Sequence, residues 1–507
     1  MKPEYLLMGI DIGTTSVKCL VMNSKGEIKI SSSHNYPIFT PHPTWVEQNP
    51  EDWWSSVIKV VRDCLQIVDT QYIVAISLSG HMSALVMVNQ DGNPVGRSIL
   101  IADTRSAKQT SYLRKHFMKP ITAVTGNQPL DAFTVSKLLW IKEEAPEQYY
   151  HTKKFIFPKD YIRFKLTGRL GTEPTDAGNS LLYDRVKGDW NWELIGHLGL
   201  RPDLFPELAK TTEVFGYVSK DAASLTGLRP GIPVISGGAD MACSQIGTGA
   251  IYEEVMAITL STSAQVVMSV PDVKEQGIGR VTFHPGVLPD SLYAMGSIFT
   301  GGLGVDWGYR FLFNKSQMKA KDYIKLEKLT KKMQDIEPGS GGLLFLPFLV
   351  GSGTPYFDTS DRASWLGLSL SQDKSLLLRS ILEGISYNIR ENAEVFEKMN
   401  IHVSRVHIGG GGSKNKVWCQ IIADVLGKDL QLLEHKDASP IGAAILAGVG
   451  VEMFASLEDA VNTVIRVKET IKYNEERHEK YQHLYIDYKE IYQALNRYYH
   501  SLDKQSK

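Results

Sequence analysis

The pattern of apolar runs and short polar turns at the start of the chain predicts three strands. Residues 6–10 and 17–22 are nearly continuous apolar runs with the length of buried strands. A turn of small hydroxyl residues separates them, and residues 23–26 form a tight turn into a third strand. Three antiparallel strands argue against a Rossmann domain, which opens with a strand, a glycine turn and a helix.

The pattern changes to a helical period near residue 50. Asn49 can cap the helix, and Pro50 suits its first position. Glu51 and Asp52 favour the positive end of the helix dipole. The apolar face predicted for this helix consists of Trp53, Val57, Val60, Val61 and Cys64.

Two further apolar runs, 73–78 and 84–88, are predicted to pair as a hairpin with its tip at residues 81–83. Later, residues 233–236 predict a strand that runs into two glycines, Ala239 and Asp240. A helix of small residues is expected to begin there.

The second half of the chain repeats the opening pattern. Residues 256–260, the turn Ser261-Thr262-Ser263 and residues 264–270 resemble the opening strands and their Gly13-Thr14-Thr15-Ser16 turn. A repeat at half the chain length predicts two related domains, 1–250 and 251–507, which face each other across a cleft.

Three elements are predicted after this repeat. Residues 374–399 predict a helix, and residues 403–408 predict a strand that ends in four glycines. The tail, 468–500, is predicted to be a terminal helix packed on the second domain. Its apolar stripe consists of Tyr481, Leu484, Tyr488, Ile491, Tyr492 and Leu495.

Composition excludes several classes of function. Hydrophobic residues make up 43% of the chain and charged residues 22%, and the net charge is −1. This balance is typical of a soluble globular protein without a nucleic-acid or membrane surface. The four cysteines form no CxxC pair, and no signal peptide or membrane span is recognisable, so a cytoplasmic location is expected.

The turn after the first strand has the composition of an anion site. Gly13 allows a close approach of the backbone, successive N–H groups form a concave nest, and Thr14 and Thr15 add hydroxyl donors. Asp11 could orient a hydrated magnesium ion. A turn that uses small residues for geometry alone is the alternative, but the second copy at residues 261–263 favours a polyphosphate site.

The glycine run 409–412 is the second candidate for ligand contact. It lies between a strand and a helix that carries Val417, Trp418, Ile421 and Ile422. Backbone without side chains makes a flat surface for a nucleobase or ribose. The chain has no GxxxxGK[ST] loop, and no GxGxxG sequence opens a strand–helix unit.

Asp240 is the candidate general base, since one carboxylate must accept the proton of the acceptor hydroxyl in phosphoryl transfer. A helix N-cap is the alternative role for an aspartate at this position. The polar residues that could converge on a sugar are His81, Met82, Ser83, Asp103 and Arg105, although an ordinary exposed loop would look the same.

The order and spacing of these segments resemble the FGGY carbohydrate kinases, and within that family the chain is most similar to the xylulokinases. The likeness extends from Tyr5 to about Phe454. The segments that carry it are MGIDIGTTSVK at 8–18, WVEQNPEDWW at 45–54, FPKDYIRFKLTG at 157–168, TDAG at 175–178, ISGGAD at 235–240, GLLFLPFLVGSGTPY at 342–356, LEGISYNIRE at 382–391 and GGGGSKNKVWCQIIAD at 409–424.

The resemblance implies an α/β fold of two ribonuclease-H-like, actin-like ATPase domains with ATP and sugar meeting in the cleft. The first domain, 1–250, would bind the sugar and carry the first phosphate turn, and the second, 251–507, would bind the nucleotide. It implies that Asp240 is the proton acceptor and that Asp11 places Mg2+ through water. The phosphates would be surrounded by Gly13, Thr14, Thr15, Lys18, Ser261 and Thr262. Adenosine would be bordered by Gly410, Gly411 and Asn415. The sugar would be lined by His81, Met82, Ser83, Asp103, Asp240 and Met241.

Three positions depart from the xylulokinase pattern. Xylulokinases usually have Met-His in the turn where this chain has Met82-Ser83, with its histidine at position 81 instead. They usually have asparagine after the catalytic aspartate, where this chain has Met241. Ser261 stands where glycine is common. The first two departures concern the sugar, and the third a phosphate turn that should tolerate serine.

The sequence therefore predicts a kinase that uses ATP and Mg2+ to phosphorylate a pentulose, with D-xylulose giving D-xylulose 5-phosphate. Gluconate, autoinducer-2 and other ketose or polyol substrates of the same family are alternatives. A sugar-independent ATPase of the actin or chaperone kind and a silent sugar sensor are alternatives of another class. The predicted partner is a small sugar or polyol, and a homodimer is the assembly considered.

Overall fold

The computed structural model describes residues 4–505, which divide into two compact units. The first unit comprises the chain up to Ile251, together with Phe283–Tyr293 and Asp437–Arg466. The second comprises Tyr252–Thr282, Ala294–Lys436 and the chain from Val467 onward.

Strands and helices alternate along much of the chain, as in an α/β protein. In chain order the strands are β1 (Leu6–Ile12), β2 (Ser16–Asn23), β3 (Ile28–Asn35), β4 (Glu47–Gln48), β5 (Ile73–Gly80), β6 (Val86–Val88), β7 (Ser98–Ile99), β8 (Lys154–Ile156), β9 (Tyr183–Asp184), β10 (Asp189–Trp190), β11 (Val214–Tyr217), β12 (Pro233–Ile235), β13 (Gly238–Ala239), β14 (Val255–Leu260), β15 (Ala264–Val270), β16 (Thr282–Pro285), β17 (Leu292–Ile298), β18 (Leu344–Leu346), β19 (Ser364–Leu366), β20 (Arg405–Gly409), β21 (Leu430–Leu433) and β22 (Val467–Ile471). The helices are α1 (Pro50–Leu65), α2 (Ala107–Thr125), α3 (Thr134–Glu144), α4 (Pro146–His151), α5 (Pro158–Thr167), α6 (Pro174–Gly178), α7 (Trp192–His197), α8 (Lys220–Thr226), α9 (Asp240–Gly247), α10 (Gly302–Leu312), α11 (Ala320–Lys332), α12 (Lys374–Lys398), α13 (Lys416–Leu426), α14 (Ala438–Gly450), α15 (Leu457–Val464) and α16 (Glu475–Gln505).

The sheet of the first unit has the strand order β11-β12-β5-β1-β2-β3, and β13 also pairs with β5. β1 is buried along its whole length; it pairs antiparallel with β2 and parallel with β5. The three predicted opening strands are therefore confirmed. The predicted helix is α1, whose N-cap Asn49 accepts a hydrogen bond from the Glu51 N–H and whose predicted apolar face is buried.

The predicted hairpin between residues 73–78 and 84–88 is wrong. β5 lies inside the first sheet beside β1, whereas β6 pairs antiparallel with β8 in a separate two-stranded sheet. The physical reason is that β5 is an almost continuous apolar run, as a central parallel strand buried on both faces requires. The segment 81–83 is therefore the connection that leaves the end of β5, with Ser83 in the left-handed region at φ 64°.

Five strands of the second unit's sheet lie in the order β15-β14-β20-β21-β22. β14 pairs antiparallel with β15 and parallel with β20, which is the relation of β1 to β2 and β5 in the first unit. The predicted echo of the opening strands is therefore present, and the predicted α/β class is confirmed. The division of labour between a sugar-binding first domain and a nucleotide-binding second domain stays a prediction.

The C-terminal part of the prediction needs one correction. Residues 467–471 form β22, which pairs with β21, so that the terminal helix begins at Glu475 and not at 468. Along α16 the side chains of Tyr481, Tyr488 and Tyr492 are buried as predicted, while the other members of the predicted stripe are half-buried.

Cys19, Cys64, Cys243 and Cys419 are free and buried. Within residues 4–505 no helix combines the length and apolar character needed to cross a bilayer.

Candidate active site

Asp11 lies near the C-terminal end of β1, with Lys18 opposite it on β2 and Ser79 opposite it on β5. The Ser79 hydroxyl donates a 2.8 Å hydrogen bond to Asp11 Oδ1. Burial raises the pKa of Asp11 to about 6, against the opposing effect of Ser79. Asp11 Oδ2 lies 3.6 Å from the position of a Cβ on Gly13, so this oxygen faces the turn that follows.

The turn after β1 carries several donors for an anion. The Gly13 N–H is engaged with the Ser16 carbonyl at 3.0 Å. The side chains of Thr14 and Thr15 are exposed, and within residues 4–505 the backbone N–H groups of these two residues donate no hydrogen bond to the protein. Lys18 forms an ion pair with Asp437 of the same unit. The turn and the start of β2 thus offer an anion the N–H groups and hydroxyls of Thr14 and Thr15 and the ammonium group of Lys18.

Asp240 is the first residue of α9 and follows β13, which pairs with the end of β5. Asp240 Oδ1 accepts hydrogen bonds from the backbone N–H groups of Met241 at 2.8 Å and Met82 at 3.3 Å. Burial, with a smaller contribution from the Asp11 charge, raises the pKa of Asp240 to about 7. The N-cap of α9 is Ala239, so Asp240 is not that helix's capping residue.

The connection 81–83 brings Met82 to Asp240 but turns His81 elsewhere. The His81 ring is 1% exposed, and its Nδ1–H donates to the Ile12 carbonyl at 2.9 Å. Burial lowers the pKa of His81 to about 4, so the ring is neutral near pH 7. The imidazole therefore lies beneath the first turn, while Ser83 is itself buried.

Asp103 is fully buried and already has partners for both carboxylate oxygens. It accepts from the Val46 N–H at 2.6 Å and from the Arg105 guanidinium at 2.7–3.0 Å. That guanidinium lies 3.7 Å from the ring centroid of Trp45. Contact of Asp103 with a sugar stays a prediction. The side chain of Met241, next to Asp240, is partly exposed and therefore available for contact with a sugar.

The second unit contains the second small-residue turn, between β14 and β15. Its carbonyl groups accept hydrogen bonds from the start of α10: Ser261 from the Gly302 N–H at 2.7 Å, and Thr262 from the N–H groups of Gly301 at 3.2 Å and Leu303 at 2.9 Å. Ser261 does not adopt a positive φ, so serine fits this turn without the backbone strain that would require glycine.

The glycine run follows β20, next to this second turn. Gly410 has φ 82°, and a Cβ there would lie 2.4 Å from the Leu260 carbonyl oxygen, one residue before Ser261. A Cβ on Gly411 would meet no atom within 4 Å. Asn415 caps α13 by accepting from the Trp418 N–H at 3.2 Å. The second unit thus places Gly410 against the end of β14, where the second turn begins.

Sequence reasoning did not assign Tyr36 and Gln48 to the site. The Tyr36 hydroxyl donates to the Gly13 carbonyl, and Gln48 Nε2 donates to the Thr14 carbonyl at 2.7 Å. Gln48 lies within the segment WVEQNPEDWW, which carries part of the family resemblance and could have indicated a role at the site. No spacing rule, however, links it to a turn 34 residues earlier in the chain.

Comparison with known proteins covers most of the chain. Residues 6–247 match the N-terminal domain, and residues 256–451 the C-terminal domain, of the FGGY family of carbohydrate kinases. A xylulose kinase of Bacillus subtilis (strain 168) is 34% identical over 490 residues, which is 96% of each protein.

Two solved structures are similar along nearly the whole chain. Xylulose kinase from Rhodospirillum rubrum is 25% identical with a TM-score of 0.88, covering 98% of this chain and all of that one. Gluconate kinase from Lactobacillus acidophilus is also 25% identical, with a TM-score of 0.90 and the same coverage. With both family domains matched in order, the chain belongs to the FGGY family of carbohydrate kinases.

Proposed function

We propose that this carbohydrate kinase transfers the γ-phosphoryl group of ATP to the terminal hydroxyl of D-xylulose, giving D-xylulose 5-phosphate and ADP. The observation that carries the proposal is Asp240, a half-buried carboxylate at the start of α9, held by the N–H groups of Met82 and Met241. Similarity to xylulose kinases, at 34% identity for the Bacillus subtilis protein, supports the substrate class.

Asp240 would act as the general base. The proton of the sugar hydroxyl passes to the Asp240 carboxylate as the hydroxyl oxygen bonds to the γ-phosphorus and the bond from that phosphorus to the ADP oxygen breaks. A base with a pKa of about 7 is half deprotonated near neutral pH and still accepts a proton readily. The Met82 and Met241 N–H groups fix the direction of the carboxylate.

Mg2+ fits the residues around the first turn. Among residues 4–505 no cluster of three or more His, Cys, Asp or Glu side chains could hold a metal. This suits an ion that keeps several waters and takes its other ligands from substrate phosphates. Asp11, with Oδ2 facing the turn, would hold it through water. When bound, the ion supplies positive charge to the phosphate oxygens.

The two turns would bind the phosphates, each from its own unit: Gly13, Thr14, Thr15 and Lys18 in the first, Ser261 and Thr262 in the second. The exposed hydroxyls and N–H groups of Thr14 and Thr15 support this role. Gly411 offers open backbone for adenosine, next to Gly410, which packs closely against Leu260, and Asn415 lies at the end of the same segment.

D-Gluconate is the second candidate acceptor. The gluconate kinase structure has a TM-score of 0.90 to this chain. Met241 stands where xylulokinases usually have asparagine, and the imidazole of His81 is bonded to Ile12 and not directed at Asp240. Both features remove polar contacts that the xylulokinase pattern supplies.

A cytoplasmic location and a homodimer stay predictions.

The substrate is tested by measuring ADP release with D-xylulose, D-gluconate and a panel of other ketoses, polyols and sugar acids. We expect magnesium-dependent turnover that D-xylulose stimulates most. Stimulation by D-gluconate alone would transfer the assignment to gluconate, and rapid ADP release that no carbohydrate accelerates would contradict kinase function.

The base is tested with Asp240→Asn, which keeps the shape and removes the proton acceptor. We expect kcat to fall by about 10²- to 10⁴-fold, while the Kd for ATP changes little. Circular dichroism and thermal unfolding would confirm that the variant is folded. A near-normal kcat would exclude Asp240 as the base.

A further inference from the structure

Three consecutive carbonyl groups of the first turn each accept a hydrogen bond from a buried side chain. The Ile12 carbonyl accepts from His81 Nδ1 at 2.9 Å, the Gly13 carbonyl from the Tyr36 hydroxyl and the Thr14 carbonyl from Gln48 Nε2 at 2.7 Å. These donors come from three separate elements: the connection after β5, the residue after β3, and β4.

The bonds to Gly13 and Thr14 fix the direction of two N–H groups. In a trans peptide the carbonyl of one residue and the N–H of the next point in opposite directions. Carbonyls of Gly13 and Thr14 that point into the protein therefore direct the N–H groups of Thr14 and Thr15 away from it. Within the described chain, these are the N–H groups of the turn that have no acceptor in the protein.

The donors are themselves held in place. Trp53 Nε1 donates to Gln48 Oε1 at 3.1 Å, which fixes the amide so that its nitrogen faces Thr14. The His81 ring contacts the Trp53 ring edge to face, with centroids 5.3 Å apart. Gln48 is 1% exposed and Trp53 fully buried. The segment 45–54 therefore supports the first turn, in addition to supplying Trp53 to the apolar face of α1.

We propose that Tyr36 and Gln48 are positioning residues that hold the first turn with two N–H groups directed at the phosphates of ATP, and that His81 holds the Ile12 carbonyl immediately before the turn. This inference rests on the proposed function, because it requires the turn to bind phosphate. The three residues act through the backbone and do not themselves touch the nucleotide.

Loss of one support would release one peptide group. Without the Tyr36 hydroxyl, the half-buried Gly13 carbonyl would lose its partner, which favours rotation of the Gly13–Thr14 peptide towards water. Glycine at position 13 permits such a rotation. The rotated peptide would present a carbonyl oxygen, and not an N–H group, to the phosphate.

The test is Tyr36→Phe, which removes only the hydroxyl. Calorimetry would measure the Kd of ATP, ADP, adenosine and the sugar acceptor for this variant and for Gln48→Met, which removes the donor to Thr14 together with the acceptor of Trp53 Nε1. The control is Tyr149→Phe, a buried tyrosine of the same unit whose hydroxyl accepts from the Arg201 N–H and has no link to the turn.

We expect each support variant to bind ATP and ADP about 5- to 50-fold more weakly, the loss typical of one hydrogen bond to a buried group. Adenosine and sugar should bind as before, and Tyr149→Phe should bind all four ligands normally. If a folded support variant also binds adenosine and sugar more weakly, the lost hydrogen bond supports the unit in general and not the phosphate turn, and that result would overturn the proposal. Gln48→Met provides the measurement if Tyr36→Phe does not fold.

Lys18→Met separates failure of this inference from failure of the proposed function. If Lys18→Met weakens ATP binding and the support variants do not, the positioning role is wrong while the phosphate turn stands. If none of the variants changes ATP affinity in an active kinase, this turn does not bind the phosphates.

Discussion

The two small-residue turns occupy equivalent places in their sheets but are supported differently. In the first unit, the carbonyls of the turn accept from the side chains of Tyr36, Gln48 and His81. In the second unit, the carbonyls of Ser261 and Thr262 accept from backbone N–H groups at the start of α10. The strand pairing is repeated, whereas the support is not.

The difference determines how each turn can be altered. The first turn depends on side chains, so single substitutions can remove one hydrogen bond at a time and leave the strands intact. The second depends on close approach of two backbone segments, which only a change of backbone position can disrupt. The two turns also differ in their acid–base groups. Asp11 adjoins the first turn, whereas residues 259–263 at the second turn include no acidic or basic side chain.

The largest effect is expected from Gly301→Ala, which acts on the second turn. A Cβ at this position would lie 2.5 Å from the Ser263 carbonyl carbon and 2.6 Å from its oxygen, so the backbone must move. Displacement of catalytic groups by about 1 Å can cost on the order of 10²-fold in rate. We therefore expect kcat/KM for ATP to fall by about 100-fold in steady-state assays.

Gly196→Ala is the matched control for that substitution. It lies in α7, and a Cβ there would meet no atom within 4 Å, so activity should be unchanged. If Gly301→Ala also retains normal kcat/KM, the backbone support of the second turn is unimportant and the contrast between the turns fails.

Strand and helix positions near both turns could be predicted from the sequence, because they depend on local patterns. Residues 6–10, 17–22 and 264–270 are apolar runs, and Asn49 with Pro50 is a local start signal. The pairing of β5 could not be predicted, since an apolar run does not indicate whether its neighbour is the next strand or one 68 residues earlier. The error placed residues 81–83 at a hairpin tip.

The individual site residues could be selected by type, but their partners could not. Asp11 and Asp240 were selected as carboxylates after strands, and the structure adds Ser79 and the Met82 N–H as their partners. His81 was selected as a polar residue near the sugar, yet its ring bonds to Ile12. Such contacts join residues up to 158 positions apart and depend on the sheet order.

The next largest expected effect is the pH dependence of kcat/KM. It should arise from the first unit, which contains the titrating base Asp240. The pKa of Asp240 is raised to about 7 by burial and by Asp11. Because the base must be deprotonated, kcat/KM should fall about tenfold per pH unit below pH 7 and level off above it. Rates measured from pH 5.5 to 9 at saturating Mg2+ would check this, and a flat profile through pH 7 would contradict it.

The same shift predicts a stability effect in the protein without ligands. A carboxyl group with a folded-state pKa above its unfolded value near 4 stabilises the fold below pH 4, and this stabilisation is lost as pH rises to about 7. Asp240→Asn removes the effect. Its thermal midpoint should therefore exceed that of the parent protein at pH 8, with a smaller difference at pH 5.

The smallest effect concerns Lys18, which pairs with Asp11 beside the first turn; the equivalent residue beside the second turn, which pairs with Thr259, is the uncharged Gln265. The side chains of Lys18 and Asp437 are 41% and 52% exposed, so their ion pair contributes less than about 1 kcal/mol to stability. Phosphate must compete with Asp437 for Lys18, and the Asp437 carboxylate also repels phosphate. Asp437→Asn should therefore lower the Kd of ATP by about 2- to 5-fold in 50 mM salt, and less at higher salt because the charges are screened.

Asp203→Asn, which removes the partner of Arg201 in another exposed pair of the same unit, should leave the Kd unchanged. Weaker ATP binding by Asp437→Asn would mean that Asp437 holds Lys18 in its binding position, and the first turn would then depend on an ion pair as well as on its buried supports.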